Sequence, residues 1–132
     1  MRKGLTREEG STAGRRVSPL RVLFICSRNR RRSPTAERVF AGQAGLEVAS
    51  AGLAPDAEEV VSPEALEWAQ LIFVMEKAHR ARLRRRFGPH LRHAKVVCLD
   101  IPDDYEFMDE ALVGRLEAAV GPHLLRRPRS PD

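Results

Sequence analysis

Four short apolar runs stand out along a largely polar chain: Val22–Ile25, Leu46–Ala49, Leu71–Met75 and Val96–Leu99. They are β-branched or leucine-rich and continuous rather than alternating, as expected of strands covered on both faces of a parallel sheet. Between them the spacing turns helical. Ser33-Pro34 reads as an N-cap followed by a proline at the first helical position, opening a helix to about Ala44. Ser62-Pro63 repeats the device before "EALEWA". Residues 76–87 place His79, Leu83 and Phe87 on one helical face. Asp109 is a cap for a last helix carrying Leu112, Leu116, Ala119 and Val120, expected to stop at Gly121-Pro122.

Strands alternating with helices predict a single three-layer α/β domain, a four-stranded parallel sheet with helices on both faces and right-handed crossovers. In such sheets ligands bind beyond the carboxyl ends of the strands, near the point where strand order reverses. The segment "CSRNRRRS" follows the first predicted strand and "DIPDDY" the fourth, so both are expected on that edge.

Composition narrows the class. A chain of 132 residues holds one core, with 42% hydrophobic and 31% charged residues. No run approaches the ~18 consecutive apolar residues of a membrane span, and residues 1–19 lack the apolar stretch of a secretory signal. The expected organisation is a disordered tail over 1–19, an α/β domain over 20–125 and a C-terminal tail over 126–132. Two cysteines, Cys26 and Cys98, make neither a disulfide framework nor a zinc cluster, which points to a cytoplasmic protein with reduced thiols. The net charge of +5 favours anionic partners without choosing among them.

The first loop carries the chemistry. Four arginines in the eight residues of "CSRNRRRS" repel one another unless an anion sits among them. From Cys26 to Arg32 the spacing is a cysteine, five residues and an arginine, set between a strand and a helix. A loop of that length can curl so that its amides form an anion nest at the helix N-terminus. Arg32 can then fork two phosphate oxygens, with Cys26 beneath the phosphorus as an in-line nucleophile. The helix N-terminus and the arginines favour the thiolate over the thiol, and a hydroxyl hydrogen bond from Ser33 adds to this. No metal motif is present, and no cofactor is needed if arginine and amides carry the charge.

The stretch "VLFICSRNRRRSPTAE" resembles the phosphate loop of low-molecular-weight protein tyrosine phosphatases, which reads C-x-G-N-x-C-R-S-P-x-A-E. "SAG" at Ser50–Gly52, "FVMEKAHRARL" and "DIPDDY" are similar to that family's second-strand end, third strand with its helix, and aspartate loop. The resemblance spans about residues 20–125 and implies strand order 2-1-3-4. It implies Cys26 as nucleophile, Arg32 as phosphate clamp and Ser33 as thiolate stabiliser. Ser27, Arg28, Asn29, Arg30 and Arg31 would complete the phosphate loop, with Asn29 braced toward Ser50. The family's acid aligns with Asp103, ahead of Asp100 and Asp104, and Tyr105 would stand beside the leaving group. Four departures matter: Arg28 replaces a glycine, Arg30 an apolar residue, Arg31 a second cysteine, and Asp104 the proline after the acid. The extra cations suggest a substrate with more negative charge than one phosphotyrosine.

The leading expectation is a metal-independent phosphomonoesterase acting through a cysteinyl-phosphate, with protein phosphotyrosine as default substrate. The alternative is a non-catalytic phosphate binder directed at RNA or a nucleotide, motivated by Arg28, Arg30, Arg31 and the five arginines between residues 80 and 86. The bland reading of that arginine run is a solvated helix face. Arsenate reduction ranks lower, because Cys98 alone, read as a small buried hydrophobe, supplies no disulfide relay. No membrane partner is expected, and oligomeric state is not legible.

Overall fold

A computed structural model of the chain describes residues 19–125. The tails expected over 1–19 and 126–132 lie outside the described residues, Pro19 excepted. In chain order the elements are β1 (Leu20–Cys26), α1 (Arg32–Phe40), β2 (Leu46–Gly52), α2 (Pro63–Trp68), β3 (Leu71–Val74), α3 (Lys77–Phe87), a 3₁₀ turn (Gly88–Leu91), β4 (Lys95–Cys98) and α4 (Glu110–Leu125). The four strands form one sheet in the order β2-β1-β3-β4, every pair parallel.

The continuous apolar runs follow from the sheet having two covered faces. In β1, Val22, Phe24 and Cys26 face a core shared with Phe40 of α1 and Leu112, Leu116 and Val120 of α4. Leu23 and Ile25 face the opposite core, with Leu66 of α2 and Leu83 of α3. β3 divides the same way, Phe73 to one side, Ile72 and Val74 to the other. Phe24 stacks between Phe40 and Phe73, with ring centroids 5.8 and 5.4 Å apart. A polar residue in either central strand would be stranded in a core, so alternation is absent.

Element ends depart from the sequence pattern at several places. Ser33 is not a cap. α1 begins at Arg32, the capping position Arg31 makes no side-chain bond, and the Ser33 hydroxyl turns to Cys26 instead. Ser62 does cap α2, accepting from the Ala65 amide, with Pro63 opening the helix. α1 stops at Phe40 rather than Ala44, and the chain turns through Gly45 at φ 85°. β2 runs on to Gly52 because its pairing with β1 continues to Cys26. α4 passes through Gly121-Pro122 to Leu125. Proline there forgoes one helical hydrogen bond. The edge of His123 on Phe73 and the contact of Leu124 with the core hold the last turn in place. Cys98 is the last residue of β4, a strand at the sheet edge, and is only half-buried.

Strand order reverses between β1 and β3. The chain leaves β1 toward α1 on one face and leaves β3 toward α3 on the other. A crevice therefore opens beyond the carboxyl ends of these two strands. The backbone of the next loop completes it: Leu99 and Ile101 continue the ladder past β4 by donating to Val74 and Met75 carbonyls at 2.9 and 2.8 Å.

Candidate active site

The loop from Cys26 to Arg32 is held against residues 53–58 by its own backbone. Leu53, Ala54 and Glu58 amides donate to the carbonyls of Cys26, Ser27 and Arg28 at 3.0, 2.8 and 3.0 Å. This close approach requires Gly52. A Cβ there would lie 2.5 Å from the Ser27 carbonyl oxygen and 2.6 Å from the Ala57 methyl. Gly52→Ala is accordingly expected to displace the loop. A displacement approaching 1 Å at a reacting centre lowers kcat/KM on an aryl phosphate by about 10²-fold, and crowding the loop destabilises by about 1–3 kcal/mol. Steady-state kinetics beside a thermal melt checks both.

Asn29 takes the left-handed conformation, φ 59°, a region asparagine tolerates. Arg28, at the position where the phosphatase pattern has glycine, is not among the described residues of positive φ. Its side chain therefore sits there without backbone strain. Asn29 also ties the loop together. Its amide N–H donates to Cys26 Sγ at 3.2 Å, and its Nδ2 donates to Ser33 Oγ at 3.0 Å and Ser50 Oγ at 2.9 Å. Ser50 in turn donates to Glu37 Oε1 at 2.5 Å.

The direction of this chain matters for the sulfur. Ser33 Oγ accepts from Asn29, so its single hydrogen remains to be given. The Cys26 sulfur is 3.0 Å away, closer than the Ala51 carbonyl at 3.4 Å. Two donors, the Ser33 hydroxyl and the Asn29 amide, thus converge on one buried thiol. That arrangement makes the sulfur an acceptor of two hydrogen bonds.

Arg32 is 3% exposed. Its Nη1 donates to Glu76 Oε2 at 2.6 Å and to the Ile101 carbonyl at 2.7 Å, bridging the crevice between α1 and the turns after β3 and β4. Its Nε has no hydrogen-bond partner, which makes it the one buried side-chain nitrogen or oxygen left unsatisfied among the described residues. Asp103 Oδ1 stands 3.7 Å from it. The hydrogen bond from Arg32 holds the Glu76 carboxyl below the usual range. Glu76 also starts α3, where its side chain accepts from the His79 backbone and its amide donates to His79 Nδ1 at 3.2 Å. Burial pushes the His79 imidazole down, with Arg32 and Arg82 acting in the same direction.

Cys26, Ser27, Arg28, Arg30, Arg31, Arg32 and Asp103 line a cavity of about 300 Å³. Asn29, Ser33 and Ser50 lie behind the sulfur as its bracing. Of the three candidate acids, Asp103 alone reaches the cavity. Asp100 accepts a long 3.9 Å contact from Cys98 Sγ, and Asp104 is exposed. The Asp103 loop is pinned on either side, by the Ile101 carbonyl on Arg32 and by the Met108 amide donating to Thr35 Oγ1 at 2.9 Å. The structure does not bring Tyr105 to the cavity. Its ring packs on the α1/α4 core, where aromatic surface leaves water, and its hydroxyl accepts from Arg115 at 3.3 Å.

The sequence pattern missed Glu76 and Gly52. Glu76 had a signal, an acid directly after the third strand on the ligand-binding edge, but nothing local says that a buried arginine meets it. The loop arginines also look different in space. Arg28 faces Asp56 at 3.7 Å, Arg30 faces Glu58 at 3.4 Å and Arg31 faces Glu106 at 4.0 Å. Their crowding is therefore relieved partly by the protein itself, and an anion is not the sole thing that separates them. The arginines of α3 lie outside this cavity. Arg82, Arg84 and Arg85 are exposed, and Arg86 donates to the Leu53 carbonyl at 3.1 Å.

A parallel four-stranded α/β domain with a cysteine-to-arginine loop at its first crossover defines a phosphate-loop phosphatase. The family described as Low molecular weight phosphotyrosine protein phosphatase matches residues 21–86. The chain belongs to that family. Solved structures agree in fold. The tyrosine phosphatase AmsI of Erwinia amylovora is 24% identical with a TM-score of 0.67, covering 90% of this chain and 100% of its own. Wzb of Vibrio vulnificus, bound to benzylphosphonate, is 26% identical with a TM-score of 0.64, covering 80% and 97%. The YwlE arginine phosphatase of Geobacillus stearothermophilus is 22% identical with a TM-score of 0.61, covering 85% and 100%. No curated protein is a significant match to the chain. No described helix is long and apolar enough to cross a membrane, and no described cluster of three His, Cys, Asp or Glu residues could hold a metal ion.

Proposed function

We infer that the domain over residues 20–125 hydrolyses phosphomonoesters through a cysteinyl-phosphate, in the cytoplasm, with protein phosphotyrosine as its substrate class. The observation that carries this reading is the unsatisfied, buried Nε of Arg32, on a residue that lines one cavity with Cys26 and Asp103. A buried donor without an acceptor is costly, and a phosphoryl oxygen is the acceptor that this cavity is built to receive. Neighbours described as tyrosine phosphatases support the substrate class.

In this reading each step falls to a named residue. Cys26 Sγ attacks phosphorus as the P–O bond to the leaving alcohol breaks, and Asp103 gives that oxygen its proton. Water then attacks the cysteinyl-phosphate, Asp103 takes a proton from it, and the P–S bond breaks to return the thiolate and inorganic phosphate. Arg32 and the loop amides hold the equatorial oxygens throughout. Ser33 and Asn29 stabilise the sulfur as both attacking and leaving group.

Hydrolysis of an aryl phosphate in chelator tests the reading, run beside Asp103→Asn. The wild type is expected to turn over without added metal. The asparagine variant should lose about 10²–10⁴-fold in kcat, the usual contribution of a positioned general acid. Full activity in that variant removes Asp103 from the reaction, and no hydrolysis by the wild type removes the phosphatase reading itself.

A further inference from the structure

The walls of the cavity are charged rather than aromatic. Apart from the nucleophile, every side chain lining it is charged or hydroxylic, and no aromatic residue contributes. The chain's single tyrosine is turned away toward Arg115. A phosphotyrosine ring seated there finds no stacking partner. What surrounds it is Arg28, Arg30 and Arg31.

The acids paired with those arginines do not cancel them inside the cavity. Arg28, Arg30 and Arg31 line it, whereas Asp56, Glu58 and Glu106 do not. Each arginine thus belongs to the lining of the cavity while its paired carboxylate does not. The contacts, at 3.4–4.0 Å, join side chains that are each about half or more exposed. Exposed pairs of this kind are worth about 0–1 kcal/mol. They are enough to orient three guanidiniums and too weak to withhold them from an anion arriving with the substrate. Arginine suits that task, since its fork matches carboxylate and phosphate alike.

We propose that Arg28, Arg30 and Arg31 form a second-anion subsite that selects phosphotyrosine segments of proteins flanked by carboxylates or by another phosphorylated residue. This rests on the phosphatase reading above and narrows its substrate. Selection operates on encounter and ground-state binding, because the flanking charge lies away from the reacting phosphorus.

The test compares peptides of one length at low ionic strength: phosphotyrosine with neutral flanks, with glutamates on both sides, and with a second phosphotyrosine. An aryl phosphate and a 5′-phosphorylated oligonucleotide complete the set. Both acidic peptides are expected to exceed the neutral one by about tenfold or more in kcat/KM, carried by KM and shrinking as salt screens the rim. In Arg28→Gln/Arg30→Gln the ratio of acidic to neutral peptide should fall toward one, and Arg31→Gln alone should lower it part of the way. Equal rates for all peptides, with the aryl phosphate still hydrolysed, overturn the subsite and leave the phosphatase standing. So does a preference that survives in the double variant. A faster oligonucleotide than either acidic peptide overturns the assignment to proteins. Failure to hydrolyse any member removes the phosphatase reading and the subsite together.

Discussion

Cys26→Ser is expected to abolish turnover while leaving phosphate bound. The two donors on Sγ, the Ser33 hydroxyl and the Asn29 amide, are placed to hold an anion at that atom. A serine hydroxyl keeps the hydrogen bonds, but it does not ionise there, and no neighbouring base is placed to activate it. Asp103 is assigned to the leaving-group side, and Glu37 is two hydrogen bonds behind Asn29. Loss of a nucleophile without a substitute base costs about 10⁴–10⁶-fold in kcat. The substitution removes one polarizable atom from a buried site and leaves Arg32 and the loop backbone in place. Competition calorimetry with inorganic phosphate should therefore still show binding. Residual hydrolysis within tenfold of wild type would place the nucleophile elsewhere.

Arg32→Lys is expected to be the second most damaging change, although it preserves charge. The native guanidinium serves two sides at once. Nη1 is committed to Glu76 and to the Ile101 carbonyl, and Nε remains for the ligand. An ammonium is a single point of charge and cannot span the same two directions. Drawn to Glu76, it leaves the phosphoryl oxygens with one donor fewer. Drawn to phosphate, it leaves the Ile101 carbonyl without its Arg32 donor and the Glu76 carboxylate without its cation at the base of the Asp103 loop. Losing one such donor in a preorganised site costs about 10²–10³-fold in kcat, or about 2.7–4 kcal/mol of barrier. Stopped assays on an aryl phosphate measure this. The expected signature is a fall in kcat larger than any rise in KM, because the fork tightens on the transition state. A change confined to KM would instead make Arg32 a ground-state anchor alone.

Both expectations depend on contacts that join distant segments, and this decides how much was legible beforehand. The site loop could be read from order alone. Cys26 and Arg32 are six positions apart on one crossover, and strand, loop and helix are consecutive in the chain. The bracing by Asn29 and Ser33 is also local, three and seven residues from the sulfur. Ser50 was reachable through the likeness of "SAG". Element ends were less legible. Ser33 looks like a cap because serine before proline usually is one, yet its hydroxyl finds the sulfur of a neighbouring strand end. Proline at 122 looks like a stop, yet a packed His123 carries the helix past it.

The chain by itself determined the doubly covered parallel sheet, the position of Cys26 at the end of β1, and the cysteine-to-arginine spacing, because periodicity and short loops are properties of neighbouring residues. Only the tertiary structure decided that Glu76 and the Ile101 carbonyl grip Arg32, that Gly52 must lack a side chain, and that Asp103 alone among three acids reaches the cavity. It also decided that each rim arginine lines the cavity while its paired acid does not. These depend on which strand ends and loops the sheet order brings together, where residues 25 to 75 positions apart come within a few ångströms. Separations of that length leave no periodic trace in a sequence.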